Sequence, residues 1–144
     1  MAGFKFNLET VFKLKIQMEK SAKNELGKAL TFLEKEKERL IELENKLKET
    51  ILVRNSSARK TTIRNLRDYS GYIESVKKKI EDQKKMVNHA QKNVDILKRK
   101  MIEAVSDRQI FEKLKEKKLQ EYLKEEQKKD DKLLDELISF KLNI

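Results

Sequence analysis

The chain has 144 residues, which is within the usual length of one domain. Charged residues make up 42% of it and aromatic residues 6%, and there are three glycines and no proline. This composition is typical of long helices rather than of a compact globule. The absence of cysteine excludes disulfides and thiolate metal sites. The net charge of +10 invites a nucleic-acid interpretation, but most basic residues alternate with acidic ones, as on a solvated helix surface.

The first helical pattern runs from about residue 8 to 53, behind a short leader that carries Phe4 and Phe6. Apolar residues three and four apart lie on one face of a helix, so this spacing predicts a helix with one apolar stripe. The stripe includes Leu8, Val11, Leu26, Leu33, Leu40, Leu43 and Leu47.

The pattern degrades over about 54–66, where we expect the connection between two helices. Asn55, Ser56 and Ser57 favour local bonds between side chain and backbone, which compete with a helix. No acidic residue occurs in 50–67. The basic residues of that stretch are Arg54, Arg59, Lys60, Arg64 and Arg67.

A second, longer helix is predicted over about 67–138. Its seven-residue apolar repeat forms a narrow seam, which a single helix cannot bury by itself. The seam residues are Ile73, Val76, Ile80, Val87, Ala90, Val94, Leu97, Met101 and Ala104. The simplest fold is all-α: an elongated antiparallel two-helix coiled-coil hairpin that forms a single domain over 1–144.

Matching the helix ends predicts the register of the hairpin. The expected pairs are Leu47–Ile73, Leu40–Ile80, Leu33–Val87, Leu26–Val94, and Leu8 with Phe111 or Leu114. The first helix is then used up, so we expect the second to be unpaired beyond about 116 and to overhang at its C-terminal end. The seam also drifts near Arg108, where an arginine takes an apolar position.

The residues that carry chemistry in enzymes are missing from the pattern. There is no glycine-rich phosphate loop, no cluster of metal ligands and no nucleophile beside a histidine. His89 lies beside the seam and is expected to point into solvent. We therefore predict no catalysis, no cofactor and no small-molecule substrate. No apolar run is long enough to span a bilayer and no signal peptide is present, so we expect a cytoplasmic protein.

Three surfaces remain for partners, and each has a plainer alternative. The N-terminal apolar residues either form an interface or cap the hairpin against Phe111 and Leu114. The basic connection with Tyr69 and Tyr72 is either a binding surface or a solvent-facing loop. The C-terminal overhang is either held by another molecule or disordered.

The residues at both ends suggest a family. The opening FKFNLETVFKLK of residues 4–15, followed by Glu19 and Ala22, resembles the F-x-F-x-L-x-x-V-L opening of the flagellar FliJ family. The second half adds Arg67-Asp68-Tyr69, the segment 112–118, Tyr122 and Leu134-Asp135-Glu136, which are similar to that family's C-terminal pattern. The resemblance covers essentially the whole chain.

The resemblance implies a cytoplasmic, non-catalytic component of the flagellar type III protein export apparatus, needed for flagellum biogenesis and motility. It implies a hairpin similar to the central stalk of rotary ATPases. The end with both termini would insert into the export ATPase ring and stimulate it. The end nearer the turn would meet the cytoplasmic domain of the export gate, and export chaperones would be further partners. Contact with the membrane would be indirect, through the apparatus.

The family's contact positions map onto two groups of residues. For the export ATPase the candidates are Phe4, Phe6, Leu8, Val11, Leu114, Leu119 and Tyr122. For the export gate they are Leu43, Tyr72 and Val76. The aromatic positions expected on the facing part of helix one are here Lys46 and Thr50, a departure from the family pattern.

Two other functions stay open from the residues alone. The acid-free segment 50–67 would suit a basic coiled-coil arm that binds nucleic acid, although the interleaved charges elsewhere disfavour it. A plain self-associating coiled coil is the other, since a hairpin and a helical dimer share one seam pattern.

Overall fold

The computed structural model describes residues 3–143, and these form two helices and no strand. Helix α1 spans Glu9–Ser57 and helix α2 spans Ile63–Leu142. The helices pack against each other, so the predicted all-α hairpin fold is confirmed. The predicted domain, 1–144, also includes Met1, Ala2 and Ile144, which lie outside the described residues.

The chain divides into two compact units. The first, which we call the terminal unit, consists of Met1–Ala22 and Met101–Ile144. The second, the connector unit, is the continuous segment Lys23–Lys100. Each unit contains part of both helices, a division that the uniform seven-residue repeat did not indicate.

The connection is shorter than the sequence suggests. Helix α1 continues to Ser57 instead of ending near 53, and α2 begins at Ile63 instead of near 67, which leaves residues 58–62 between them. The Thr62 hydroxyl accepts a hydrogen bond from the Asn65 amide at 3.3 Å. This contact caps the first turn of α2, where backbone amides have no partner within the helix. Thr62 therefore fixes the start of α2 inside the segment that lacks apolar periodicity.

The core of the connector unit is the predicted seam. Its residues recur three and four apart on both helices, as knobs-into-holes packing requires. The buried apolar side chains are Leu26, Ala29, Leu33, Ile73, Val76, Ile80, Ala90 and Val94. The last of these has no exposed surface.

One seam position in this unit is polar. Gln83 falls between Ile80 and Val87 in the repeat and is only 6% exposed. Its amide nitrogen donates to the Glu36 carbonyl at 2.9 Å and also to the Glu36 carboxylate. The contact agrees with the predicted register, in which Leu40 faces Ile80. A polar group at a core position typically selects one register over others at some cost in stability.

The substitution Gln83→Leu should therefore raise the free energy of unfolding, by about 1 kcal/mol, because an apolar side chain packs better than an amide at this buried seam position. It should also increase self-association, since an all-apolar seam can pair with another helix in more than one register. Urea unfolding and light scattering measure the two effects. Gln120→Leu, at an exposed position of α2, is the control and should change stability by less than about 0.5 kcal/mol. A less stable Gln83→Leu protein would mean that the hydrogen bonds outweigh the packing.

The terminal unit is packed differently, with ionic contacts across the helices. Arg108 occupies a seam position, and its Nε donates to the Glu19 carboxylate at 2.5 Å. Arg108 also bonds Glu112 one turn further along α2. Glu19 is 8% exposed although it is charged. The apolar repeat is interrupted at Arg108 because this residue forms an ion pair across the two helices. The terminal unit therefore has fewer buried apolar side chains than the connector unit.

Candidate functional site

The N-terminal segment before α1 lies against the C-terminal part of α2. The rings of Phe4 and Tyr122 are 5.7 Å apart between centroids and tilted by 49°. This geometry is within the range in which aromatic rings attract each other. The Phe6 carbonyl accepts a hydrogen bond from the Glu9 amide at 3.1 Å, which joins the segment to the first turn of α1. The leader is thus an ordered part of the terminal unit.

These rings line a cavity of about 470 Å³ in the terminal unit. Five of the seven residues predicted for ATPase binding surround it, and we call them the aromatic cluster: Phe4, Phe6, Leu8, Leu114 and Tyr122. The cavity also confirms the expected proximity of Leu8 and Leu114. The remaining two, Val11 and Leu119, are 36% and 38% exposed and do not line it.

The overhang of α2 begins later than predicted. The sequence suggested that α2 is unpaired beyond about 116, but Tyr122 contacts Phe4 and the cavity wall extends to Glu125. The leader causes the difference because its chain is not helical. An extended residue covers about 3.3 Å and a helical one about 1.5 Å, so a few leader residues pair with twice as many of α2. From 127 to 143 every residue is exposed.

A cation beside the cluster was not predicted. The Lys115 ammonium lies 2.8 Å from the Glu9 carboxylate and 5.4 Å from the centre of the Phe12 ring. Both contacts are partly exposed, so we assign them a modest energy and a role in orientation. The signal was available in the sequence. Pairing Leu8 with Leu114 makes their neighbours, Glu9 and Lys115, opposite charges on facing helices.

The overhang carries an exposed apolar surface. Leu137 is 57% exposed and Phe140 is 65% exposed. The surface, which we call the C-terminal stripe, comprises Leu133, Leu134, Leu137, Ile138 and Phe140. A group of large exposed apolar residues on one helix commonly marks a protein interface. The helix is formed here although none of these side chains is buried.

The residues predicted for the export gate have different environments in the connector unit. Tyr72 is 41% exposed and Leu43 is half-buried. Val76 is only 2% exposed and belongs to the packed core, so its side chain offers no surface to a partner. Tyr72 lines a groove of about 680 Å³. The other lining residues are Lys46, Glu49, Thr50, Val53, Asn65, Asp68 and Tyr69.

Lys46 contributes a positive charge to the lining of this groove. The Lys46 ammonium lies 5.9 Å from the centre of the Tyr72 ring. A cation over an aromatic face is attracted to it, and at an exposed site the contact contributes about 0.5–1 kcal/mol. The lysine therefore holds the tyrosine ring from the opposite helix.

Among the described residues we find neither a cluster of metal ligands nor a helix that could span a membrane. Across 3–143 no group of three or more histidine, cysteine, aspartate or glutamate side chains could hold a metal ion. Neither helix, over the same residues, has an apolar stretch that could cross a membrane. His89 is exposed, as predicted.

Comparisons with known proteins give the context for these surfaces. A solved structure described as a YscO homolog, CT670 from Chlamydia trachomatis, matches with a TM-score of 0.65 and 21% sequence identity. The match covers 94% of this chain and 93% of that one, and it supports the fold. No curated protein matches the chain. The model of the flagellar FliJ protein family matches residues 4–143. The chain therefore belongs to the flagellar FliJ family and is a component of the type III protein export apparatus.

Proposed function

We propose that the chain is the stalk-like, non-catalytic subunit that binds the export ATPase ring through its terminal unit and stimulates ATP hydrolysis. The observation that carries the proposal is the C-terminal stripe, an exposed apolar surface on an overhanging helix. It lies beyond the aromatic cluster, in which Phe4 of the leader contacts Tyr122. A helix that buries none of its apolar face within the chain gains stability from a partner that covers it.

The charges of the terminal unit are consistent with insertion into a protein ring. Lysines and glutamates alternate along α2 beyond Leu114, and neighbouring pairs such as Lys118–Glu121 and Lys129–Glu126 lie 3.6 Å and 3.9 Å apart. Such pairs contribute little stability but keep the polar face hydrated. The overhang is thus amphipathic, with an apolar side for the partner and a mixed-charge side.

The connector unit supports a second contact. We assign the groove beside Tyr72 to the cytoplasmic domain of the export gate, with Val76 acting only as support from the core; Leu43, which does not line this groove, would be a separate half-buried contact. Export chaperones are further partners, and the protein works on the cytoplasmic face of the membrane. Lys46 in place of an aromatic residue makes this groove more polar than the family pattern, so we expect the gate contact to weaken with salt.

The test uses the export ATPase from the same cell. The intact protein should increase the rate of ATP hydrolysis, and Leu137→Asp should remove at least about nine tenths of that increase, because a carboxylate on the stripe must be desolvated in the complex. Ile96→Asp is a matched control, since Ile96 is 58% exposed and Leu137 57%. It should leave both the stimulation and the helical content unchanged.

The proposal fails if the intact protein neither binds nor stimulates the ATPase. It also fails in its detail if Ile96→Asp and Leu137→Asp have equal effects. The export-gate contact is tested separately, with Tyr72→Ala and the isolated cytoplasmic domain of the gate.

A further inference from the structure

The turn of the hairpin carries an uncompensated positive charge. Residues 50–67 contain no acid, and the nearest acids along the chain are Glu49 and Asp68, which line the groove. Within 3–143 none of the five cations here forms an ion pair. Four are exposed and Arg54 is half-buried. The five are Arg54, Arg59, Lys60, Arg64 and Arg67.

Large aliphatic side chains are exposed among these cations. Ile63, the first residue of α2, is 76% exposed, and Leu52, near the end of α1, is 68% exposed. Val53 is 48% exposed. The turn therefore combines unpaired cations with protruding aliphatic groups.

We propose that this turn binds directly to an anionic lipid bilayer. Leu52 and Ile63 enter the headgroup region, and the surrounding cations contact lipid phosphates. The aliphatic side chains or the cations alone would bind a membrane only weakly, but apolar burial and electrostatic attraction add up at a membrane surface. The contact goes beyond the proposed function, in which the membrane is reached only through the export apparatus.

A lipid surface fits the turn better than nucleic acid does. Proteins that bind single strands combine cations with aromatic side chains on which bases stack. At the turn the exposed apolar residues are aliphatic, whereas Tyr69 and Tyr72 line the groove, and Tyr72 lies under Lys46. Aliphatic side chains gain free energy from burial among acyl chains and little from a phosphate backbone.

Insertion can be detected with a single reporter because the chain contains no tryptophan. With vesicles of about one third phosphatidylglycerol in phosphatidylcholine, the emission of Ile63→Trp should shift to shorter wavelength, since the indole leaves water. Pure phosphatidylcholine should give no shift. Ile102→Trp is the matched control, because Ile102 is 63% exposed and lies in the terminal unit. Its emission should not change with either vesicle.

The charge requirement is tested by vesicle sedimentation at low salt. The triple variant Arg59→Gln, Lys60→Gln and Arg64→Gln should bind anionic vesicles about a hundredfold more weakly, as expected for three cations near a charged surface. The triple variant Lys78→Gln, Lys84→Gln and Lys85→Gln has the same net charge and should lose only a few-fold. Equal losses in the two variants would overturn the proposal. It would also be overturned by an unshifted Ile63→Trp spectrum, or by tighter binding to an RNA or DNA oligomer than to anionic vesicles at the same salt concentration.

Discussion

Glu19→Arg is expected to lower the free energy of unfolding by about 2–3 kcal/mol, below the range of about 3–5 kcal/mol for a fully buried ion pair, because this pair is only partly buried. The Glu19 side chain is 11% exposed, and Arg108 at 24% lies 2.5 Å from it. The substitution places two cations opposite each other across the helix contact, where the side chain at position 19 is largely shielded from water. Because domains are stable by only about 5–15 kcal/mol, the terminal unit should open under conditions where the natural protein is folded.

Hydrogen exchange locates the loss, and urea unfolding followed by circular dichroism measures it. Amides of the terminal unit should lose protection, while those between Ile73 and Val94 should keep more of it. Glu25→Arg, which makes the same change at an exposed site of α1, should cost less than about 0.5 kcal/mol.

The charge swap provides the second control. Adding Arg108→Glu to Glu19→Arg should restore part of the stability, but not all, because a glutamate at position 108 lies one turn from Glu112 and like charges at that spacing repel. If Glu19→Arg alone costs less than about 1 kcal/mol, the pair is solvated and does not hold the unit together.

Tyr122→Ala is expected to reduce stimulation of the export ATPase at least about tenfold at limiting protein concentration. The centroids of the Tyr122 and Phe4 rings are 5.7 Å apart, and this contact attaches the leader, which forms one side of the cavity, to α2. Loss of a ring contact of about 0.5–1.5 kcal/mol, together with its apolar burial, should release the leader. The aromatic cluster would then have to be ordered again on binding, which weakens the complex.

Tyr122→Phe keeps the ring and should retain most of the stimulation. A double-mutant cycle with Phe4→Ala separates the two roles of the tyrosine. If Tyr122 acts by holding Phe4, the two losses should be clearly less than additive. Fully additive losses would show that each ring contacts the ATPase independently and that the leader does not depend on their contact.

Much of the fold follows from periodicity. The three-and-four spacing of apolar residues identifies both helices and their seam, because only side chains at that spacing share one helix face. The antiparallel register follows from the lengths of the two patterns, and the contacts of Gln83 with Glu36 and of Leu8 with Leu114 agree with it. Gln83 and Arg108 each interrupt the apolar seam, so the sequence identifies both as polar seam positions, but the predicted pairs name no partner for either. Gln83 contacts Glu36 in the predicted register, whereas Arg108 reaches Glu19, which that register does not place opposite it.

The site was less accessible from sequence. The periodicity that identifies helices says nothing about an extended leader, so its pairing with Tyr122 and the later start of the overhang were missed. The resemblance assigned Val76 to a binding surface, but the seam spacing alone placed it in the core, and there the spacing was the better guide. Thr62 shows a similar limit, because a cap acts at one residue and leaves no periodic trace.

By itself the sequence determined that this protein is a helical hairpin, because the three-and-four spacing places its apolar residues in one narrow seam along each of two helices. Only the tertiary structure decided which apolar residues are left over. Exposure depends on what the facing segment covers, and that is a property of two distant parts of the chain together. The leader covers Leu114 and Tyr122, whereas the C-terminal stripe and the pair Leu52 and Ile63 stay uncovered.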